Sequence, residues 1–323
     1  MKDKLTYYSV GPLLYCPANN AGLADSLVGG LFGAGYSLAL CLEDTIRDDR
    51  VHEAEETLAA TLKALATEKE KRDFYLPKIY IRVREPRQIP AMLEMSGSAG
   101  TLIHGFVLPK FDEGNADEYL KQIVDAEKTY GREIYAMPIL ESPSLIPLHD
   151  RYRVLDSLRK KLDDAGRLIL NVRVGGNDLC HAFGFRRHSD ESIYDIRPVA
   201  DILSDIVTVF GTDYVVSGPV WEYYSGSRWE EGLRRELRQD RLCGFIGKTV
   251  IHPKQIPGVI DAYKVTRRDF EDAKAILDWD PSSRTLVSGN TAKERMNELK
   301  THSNWAFRIL MLSEAFGVKN TSD

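Results

Sequence analysis

Short apolar runs rich in β-branched and aromatic residues recur along the chain, and most are followed by a polar turn and then a segment of helical period. The runs predict eight strands, at Leu13 to Cys16, Ser37 to Leu42, Lys78 to Val83, Phe106 to Leu108, Ile134 to Ile139, Leu168 to Val174, Tyr214 to Val216 and Gly244 to Ile251. After the second run, Val51, Ala54, Leu58, Leu62 and Leu65 recur at steps of three or four behind Asp48 and Asp49, which predicts an amphipathic helix with an acidic start. Comparable patterns over 117–129, 155–165 and 199–210 lie between strand candidates, as parallel βα connections require. An open doubly wound sheet uses the same parts, but the count of eight favours a TIM (β/α)8 barrel, assigned to residues 1–280. The first residues, Met1 to Lys4, lead into what reads as a strand-like segment rather than a signal-peptide core. At the other end, 278–291 reads as a polar connection, and a last helix is expected over 292–316. Residues 281–323 thus form an extension outside the barrel.

Composition narrows the class. The 323 residues suit one large domain, and 43% hydrophobic with 28% charged residues excludes disordered and fibrous chains. No run approaches the roughly 20 apolar residues that span a bilayer, so no membrane association is expected and the cytoplasm is the expected location. A net charge of −5 speaks against a nucleic-acid surface while leaving room for a local basic pocket, so the expected partner is a small molecule. Cys16, Cys41, Cys180 and Cys243 form no Cys-x-x-Cys pair, which predicts reduced thiols rather than a disulfide frame or zinc ribbon.

In a barrel the chemistry sits at the carboxyl ends of the strands. The fifth run leads into Glu141-Ser142-Pro143 and the sixth into Gly175-Gly176-Asn177-Asp178, so two carboxylates can converge at the barrel mouth. A hard divalent cation, Mg²⁺ or Mn²⁺, suits so sparse a pair because water and substrate oxygens complete its shell. The plain alternative has Asp178 capping a helix and Glu141 solvated. The third run ends in Arg82-Val83-Arg84, where Arg82 is placed to hold an oxyanion or, more plainly, to pair with a nearby acid such as Glu85. Glu43 and Asp44 close the second run, either behind the metal and Arg82 or, for Asp44, as a helix cap. Lys110 and Lys248 are candidate anion binders or exposed lysines. Gly29, Gly30, Gly33 and Gly35 precede a strand and so are no nucleotide loop, and Arg234, Arg235, Arg238 and Arg241 alternating with Glu231, Glu236 and Asp240 read as a solvated helix face.

Taken together, these segments resemble the citrate lyase β-subunit and HpcH/HpaI aldolase superfamily over nearly the whole chain. The most specific segment is Gly247-Lys248-Thr249-Val250-Ile251-His252-Pro253-Lys254-Gln255-Ile256, similar to the family's Gly-Lys-x-x-Ile-His-Pro-x-Gln-Ile. Leu13-Leu14-Tyr15-Cys16-Pro17, Leu42-Glu43-Asp44 and Val107-Leu108-Pro109-Lys110 resemble its Leu-Phe-x-Pro, Leu-Glu-Asp and Val-Leu-Pro-Lys, in the right order. The details look most like a divergent branch found near bacterial stress and tellurium-resistance genes. The resemblance implies Glu141 and Asp178 as metal ligands and Arg82 as a substrate-binding arginine; the turns at the same barrel mouth add Glu43 and Asp44 to the expected catalytic group and Lys110, Gly176 and Asn177 to the expected substrate contacts. It further implies a Mg²⁺-dependent carbon–carbon lyase acting on a 3-hydroxy acid or its CoA thioester, in a homo-oligomer, a trimer or a multiple of it. Glu298, within Arg295-Met296-Asn297-Glu298, is the nearest counterpart of an acid that reaches a neighbouring subunit's site. Two departures bear on substrate choice: Arg82-Val83-Arg84 stands where the family has Arg-x-Asn, and Phe111 replaces an acid after the Pro-Lys turn. An aldolase acting on free 2-oxo acids and a barrel without turnover are the rival expectations.

Overall fold

A computed structural model describes residues 2–280, 282–290 and 293–319. Eight parallel strands form one sheet: β1 (Pro12–Pro17), β2 (Ser37–Cys41), β3 (Lys78–Arg82), β4 (Ile103–Leu108), β5 (Tyr135–Leu140), β6 (Val172–Val174), β7 (Val216–Ser217) and β8 (Lys248–Val250). Neighbours follow chain order from β1 to β7, and β8 pairs with β1, which is barrel order rather than the reversing order of a doubly wound sheet. The ring closes between β7 and β8 through a bridge from Gly218 to Lys248 and a hydrogen bond from Ile246 N–H to Val216 O at 2.8 Å.

Side chains alternate along each strand, so every second one points into the ring. Leu13, Ala39, Tyr80, Val107, Met137 and Ile139 meet there in a core of their own, joined by Leu170 just ahead of β6. The residues between them, among them Leu38, Leu40, Ile79, Ile81, Phe106 and Leu108, face outward into the larger core under the helices. The helix Val51–Lys71 buries Ala54, Leu58, Leu62 and Leu65, the stripe expected from their spacing. Ala116–Tyr130, Leu148–Ala165 and Arg197–Phe210 complete the expected outer helices.

Several boundaries differ from expectation. β4 starts three residues early because Gly105 lets it approach β5: a Cβ there would lie 2.1 Å from Tyr135 O. β6, β7 and β8 are shorter than their apolar runs, and Leu168 sits in a 3₁₀ turn, Gly166–Leu168. The N-terminal segment is not strand-like. Lys2–Tyr8 is a helix, and Tyr7 packs on the inner core while its hydroxyl donates to Arg167 O at 2.9 Å, closing the amino end of the barrel.

After the barrel, the helix Arg267–Leu277 packs on the final helix, Leu299–Phe316, around Ala273, Ile276 and Ala306. A hairpin of β9 (Val287–Gly289) and β10 (Met296–Glu298) joins them, so the last helix begins at Leu299. Ala292, the expected start, lies outside the described residues, as does Thr291 at the end of the expected connection. Asp272 accounts for the hairpin, accepting from Arg295 Nε at 2.7 Å and Asn290 Nδ2 at 3.3 Å. The final helix also packs on Lys2–Tyr8 of its own chain. Among the described residues no helix is long and apolar enough to cross a membrane.

The helix Trp229–Cys243 corrects another expectation. Its arginines Arg234, Arg235, Arg238 and Arg241 are exposed, but Glu236 and Asp240 are fully buried and hold the equally buried Lys248, at 2.9 and 2.8 Å. Lys248 points outward from β8 into this helix, so it is a paired structural cation and no anion-binding lysine. Burial pushes the Asp240 carboxyl up to about 6 despite Lys248.

Candidate active site

The turns after β2 to β6 bring Glu43, Asp44, Arg82, Lys110, Glu141 and Asp178 to the carboxyl end of the barrel. Arg82, the last residue of β3, is the hub. Its Nη2 lies 2.6 Å from Glu43 Oε2, 3.0 Å from Asp44 Oδ2 and 3.6 Å from Glu141 Oε1. Lys110 closes the group from the other side: its ammonium bonds Glu43 and reaches Asp44 Oδ1 at 3.1 Å, while its backbone N–H donates to Glu141 Oε1 at 2.9 Å. Lys110 itself has a φ of +47°, a left-handed conformation uncommon outside glycine. Asn115 steadies the turn by donating to Lys110 O at 2.9 Å.

Glu141 is only 4% exposed, and burial pushes its carboxyl up to about 8, with Arg82 opposing and Asp178 adding to the shift. Glu43 is likewise raised, first by burial. For Asp44 burial is outweighed by its contacts with Glu43, Arg82 and Lys110, and its carboxyl is held below the ordinary range. Glycine makes the Glu141 position possible: a Cβ on Gly175 would sit 1.9 Å from Glu141 Oε2.

Asp178 lies in the first turn of the helix Gly176–Phe183, makes no cap, and among the described residues forms no hydrogen bond or ion pair. The pair is thus one buried carboxyl that burial keeps protonated at neutral pH and one half-buried carboxylate with no cation of its own. Such a donor set fits a hard divalent cation, whose charge would offset both costs. Among the described residues no three His, Cys, Asp or Glu side chains are grouped to hold a metal, so a cation at this pair would have two protein ligands and leave the rest of its shell to water and substrate.

The other expected residues separate. Gly176 is buried against Ile193 and Pro219, and Asn177 is exposed. Arg84 is drawn away to Asp48 at 2.5 Å, and Glu85 pairs with Arg87 rather than Arg82. Phe111 is buried, but the next residue, Asp112, returns an acid to the rim and accepts from Ser142 Oγ at 3.2 Å. Glu298 lies on β10, where its backbone N–H donates to His302 Nδ1 at 3.0 Å, and it makes no hydrogen bond or ion pair to the mouth residues of its own chain. Two inward residues were not anticipated: Tyr15 on β1, with its ring 5.5 Å from the Arg82 guanidinium, and Arg173 on β6. The available signal was Asn171 and Arg173, two polar residues at period two inside an apolar run.

The family described as C–C bond lyase of the TIM-barrel fold matches residues 4–318, and the chain belongs to it. The chain is therefore of the carbon–carbon lyase class. A search of curated proteins finds no match. Among solved structures, a citrate lyase from Burkholderia xenovorans LB400 superposes with a TM-score of 0.72 at 15% identity, covering 96% of this chain and 93% of that one. The CitE protein of Mycobacterium tuberculosis, in complex with magnesium, acetoacetate and coenzyme A, gives 0.63 at 18% identity, covering 95% and 99%. The citrate lyase β subunit of the same organism, complexed with oxaloacetate and magnesium, gives 0.54 at 18% identity, covering 81% and 99%.

Proposed function

We propose that the protein is a Mg²⁺-dependent lyase that cleaves the carbon–carbon bond β to a carbonyl in a 3-hydroxy acid or its CoA thioester. The observation that carries the reading is the buried Glu141 carboxyl, raised to about 8, beside an Asp178 with no cation of its own. The magnesium, small carboxylates and coenzyme A held by the mycobacterial proteins support the same ion and substrate class.

In this reading Glu141 and Asp178 hold the ion, which when bound supplies a Lewis acid for the substrate carbonyl. Cleavage leaves the bond's electron pair on the carbon next to the carbonyl, so negative charge grows on the carbonyl oxygen. Arg82 steadies that charge, and Glu43 and Asp44 with Lys110 fix where its guanidinium stands. The Gly176-Asn177 turn lines the substrate, and Glu298 of a second copy completes the site in a cytoplasmic homo-oligomer, a trimer or a multiple of it.

The test is turnover of citramalyl-CoA, malyl-CoA and related 3-hydroxy acids with Mg²⁺ or Mn²⁺, followed by product release. Metal-dependent release of acetyl-CoA or acetate is expected. Cleavage confined to free 2-oxo acids would replace the reading with an aldolase, and no cleavage at all would overturn it.

A further inference from the structure

A turn of two glycines links the mouth carboxylates Glu141 and Asp178. Gly175 lies against Glu141, where a Cβ would sit 1.9 Å from Oε2. Its neighbour Gly176, which opens the helix carrying Asp178, is pressed against the turn Ile193–Asp195 and the residues after β7: a Cβ there would sit 2.3 Å from Ile193 Cδ1 and 2.9 Å from Pro219 Cβ. The turn thus touches Glu141 at one residue and a wall of Ile193 and Pro219 at the next, and Asp178 follows two residues later.

That wall is held by charges the mechanism does not use. Glu236 and Asp240 are fully buried and share Lys248. Glu236 Oε2 accepts from Ile193 N–H at 2.9 Å, and Asp240 Oδ1 accepts from the hydroxyl of the next residue, Tyr194, at 2.7 Å. The same two acids hold Pro219 through its chain neighbours. Gly218 packs its backbone on Asp240, where a Cβ would lie 3.0 Å from Oδ2, and Val220 O accepts from Arg187, whose Nε lies 3.3 Å from Glu236 Oε2. The four buried charges Arg187, Glu236, Asp240 and Lys248 are a poor choice for stability alone, because well-packed apolar residues of similar volume are often as stable or more so. What satisfied buried hydrogen bonds add is direction, fixing where a backbone stands more narrowly than apolar contact does.

We propose that Glu236 and Asp240 are positioning residues for the metal pair: through Ile193 and Pro219 they seat Gly176, and so set where Asp178 stands against Glu141. The proposal rests on the metal site of the lyase reading. An ion with only two protein ligands depends on their oxygens standing at the right separation before it arrives. A turn free to shift must be ordered when the ion binds, which weakens affinity.

Calorimetric titration of Mg²⁺ into the full-length protein, beside urea titration of the same samples, tests this. Ile193→Val removes only the methyl that touches Gly176 and should weaken Mg²⁺ affinity about 10-fold. Ile276→Val, the same change in the separate core of the last two helices, should lower stability while affinity stays within about threefold of wild type. Glu236→Gln keeps an acceptor for Ile193 N–H but loses the charge that faces Lys248 and Arg187, and should weaken affinity about 10-fold or more. Because both changes act through one contact, adding Ile193→Val to Glu236→Gln should weaken it by no more than about threefold further. Tyr194→Phe removes only the hydroxyl on Asp240 and keeps all four charges; it should weaken affinity and be non-additive with Ile193→Val in the same way. Affinity of Ile193→Val within about threefold of wild type, an equal loss in Ile276→Val, or losses that multiply in the double variants would overturn the proposal. A wild type that binds no Mg²⁺ removes the metal site itself, whereas a wild type that binds it beside an equally tight Ile193→Val removes this proposal alone.

Discussion

The buried Glu141 makes a quantitative prediction about stability. Its carboxyl is ordinarily ionised above 4.5, but in the folded, metal-free protein it is raised to about 8, chiefly by burial. A carboxyl whose folded value lies above its unfolded value costs nothing below the unfolded value, an increasing amount as pH rises between the two, and a constant amount above the folded value. At pH 7 the unfolded chain has ionised and the folded one has not. The cost over the span from 4.5 to 7 is then about 3 kcal/mol at about 1.4 kcal/mol per unit. At pH 5 it is under about 1 kcal/mol. Glu141→Gln keeps the shape and the acceptor for Lys110 N–H but cannot ionise in either state. In EDTA the variant should therefore be more stable than wild type by about 3 kcal/mol at pH 7, with the difference nearly gone at pH 5. Urea titrations at the two pH values give both numbers. A wild type equal to or more stable than Glu141→Gln at pH 7 would refute the reasoning, because it would mean that Arg82 and Lys110 already satisfy an ionised Glu141.

Three further outcomes follow from the same geometry. Gly175→Ala should drive Glu141 from its place, costing about 1–3 kcal/mol by urea titration and abolishing Mg²⁺ binding by calorimetry. Lys248→Met should destabilise by about 3–5 kcal/mol in the same titration, because it leaves Glu236 and Asp240 buried without their cation. Mg²⁺ affinity should climb as pH rises towards about 8 and level off above it, since the ion must displace the Glu141 proton; calorimetry in buffers of different ionisation enthalpy should count close to one proton released at pH 7.

Much of the barrel is legible because alternation and helical spacing are long-range repetitive signals. The stripe Ala54, Leu58, Leu62, Leu65 maps onto one buried helix face. Strand ends are not legible where buried parallel strands run apolar past their last hydrogen bond, as at Leu168 and Tyr214. The helix Lys2–Tyr8 is too short to show a period. Glu236 and Asp240 read as solvated because four arginines surround them in sequence, while their true counter-ion, Lys248, arrives only when β8 packs on the helix. The mouth carboxylates Glu141 and Asp178 stood out because each ends an apolar run in a turn. Tyr15 and Arg173 did not, since they lie within such runs and face inward only in the closed barrel.

The central claim is that Glu141 and Asp178 together hold a divalent cation. Titration of Mg²⁺ into EDTA-treated, dialysed protein by calorimetry tests it most directly, with Glu141→Gln and Asp178→Asn alongside. The account predicts one site per chain in the wild type and its loss in both variants. Unchanged affinity in either variant, or no binding by the wild type, would contradict it.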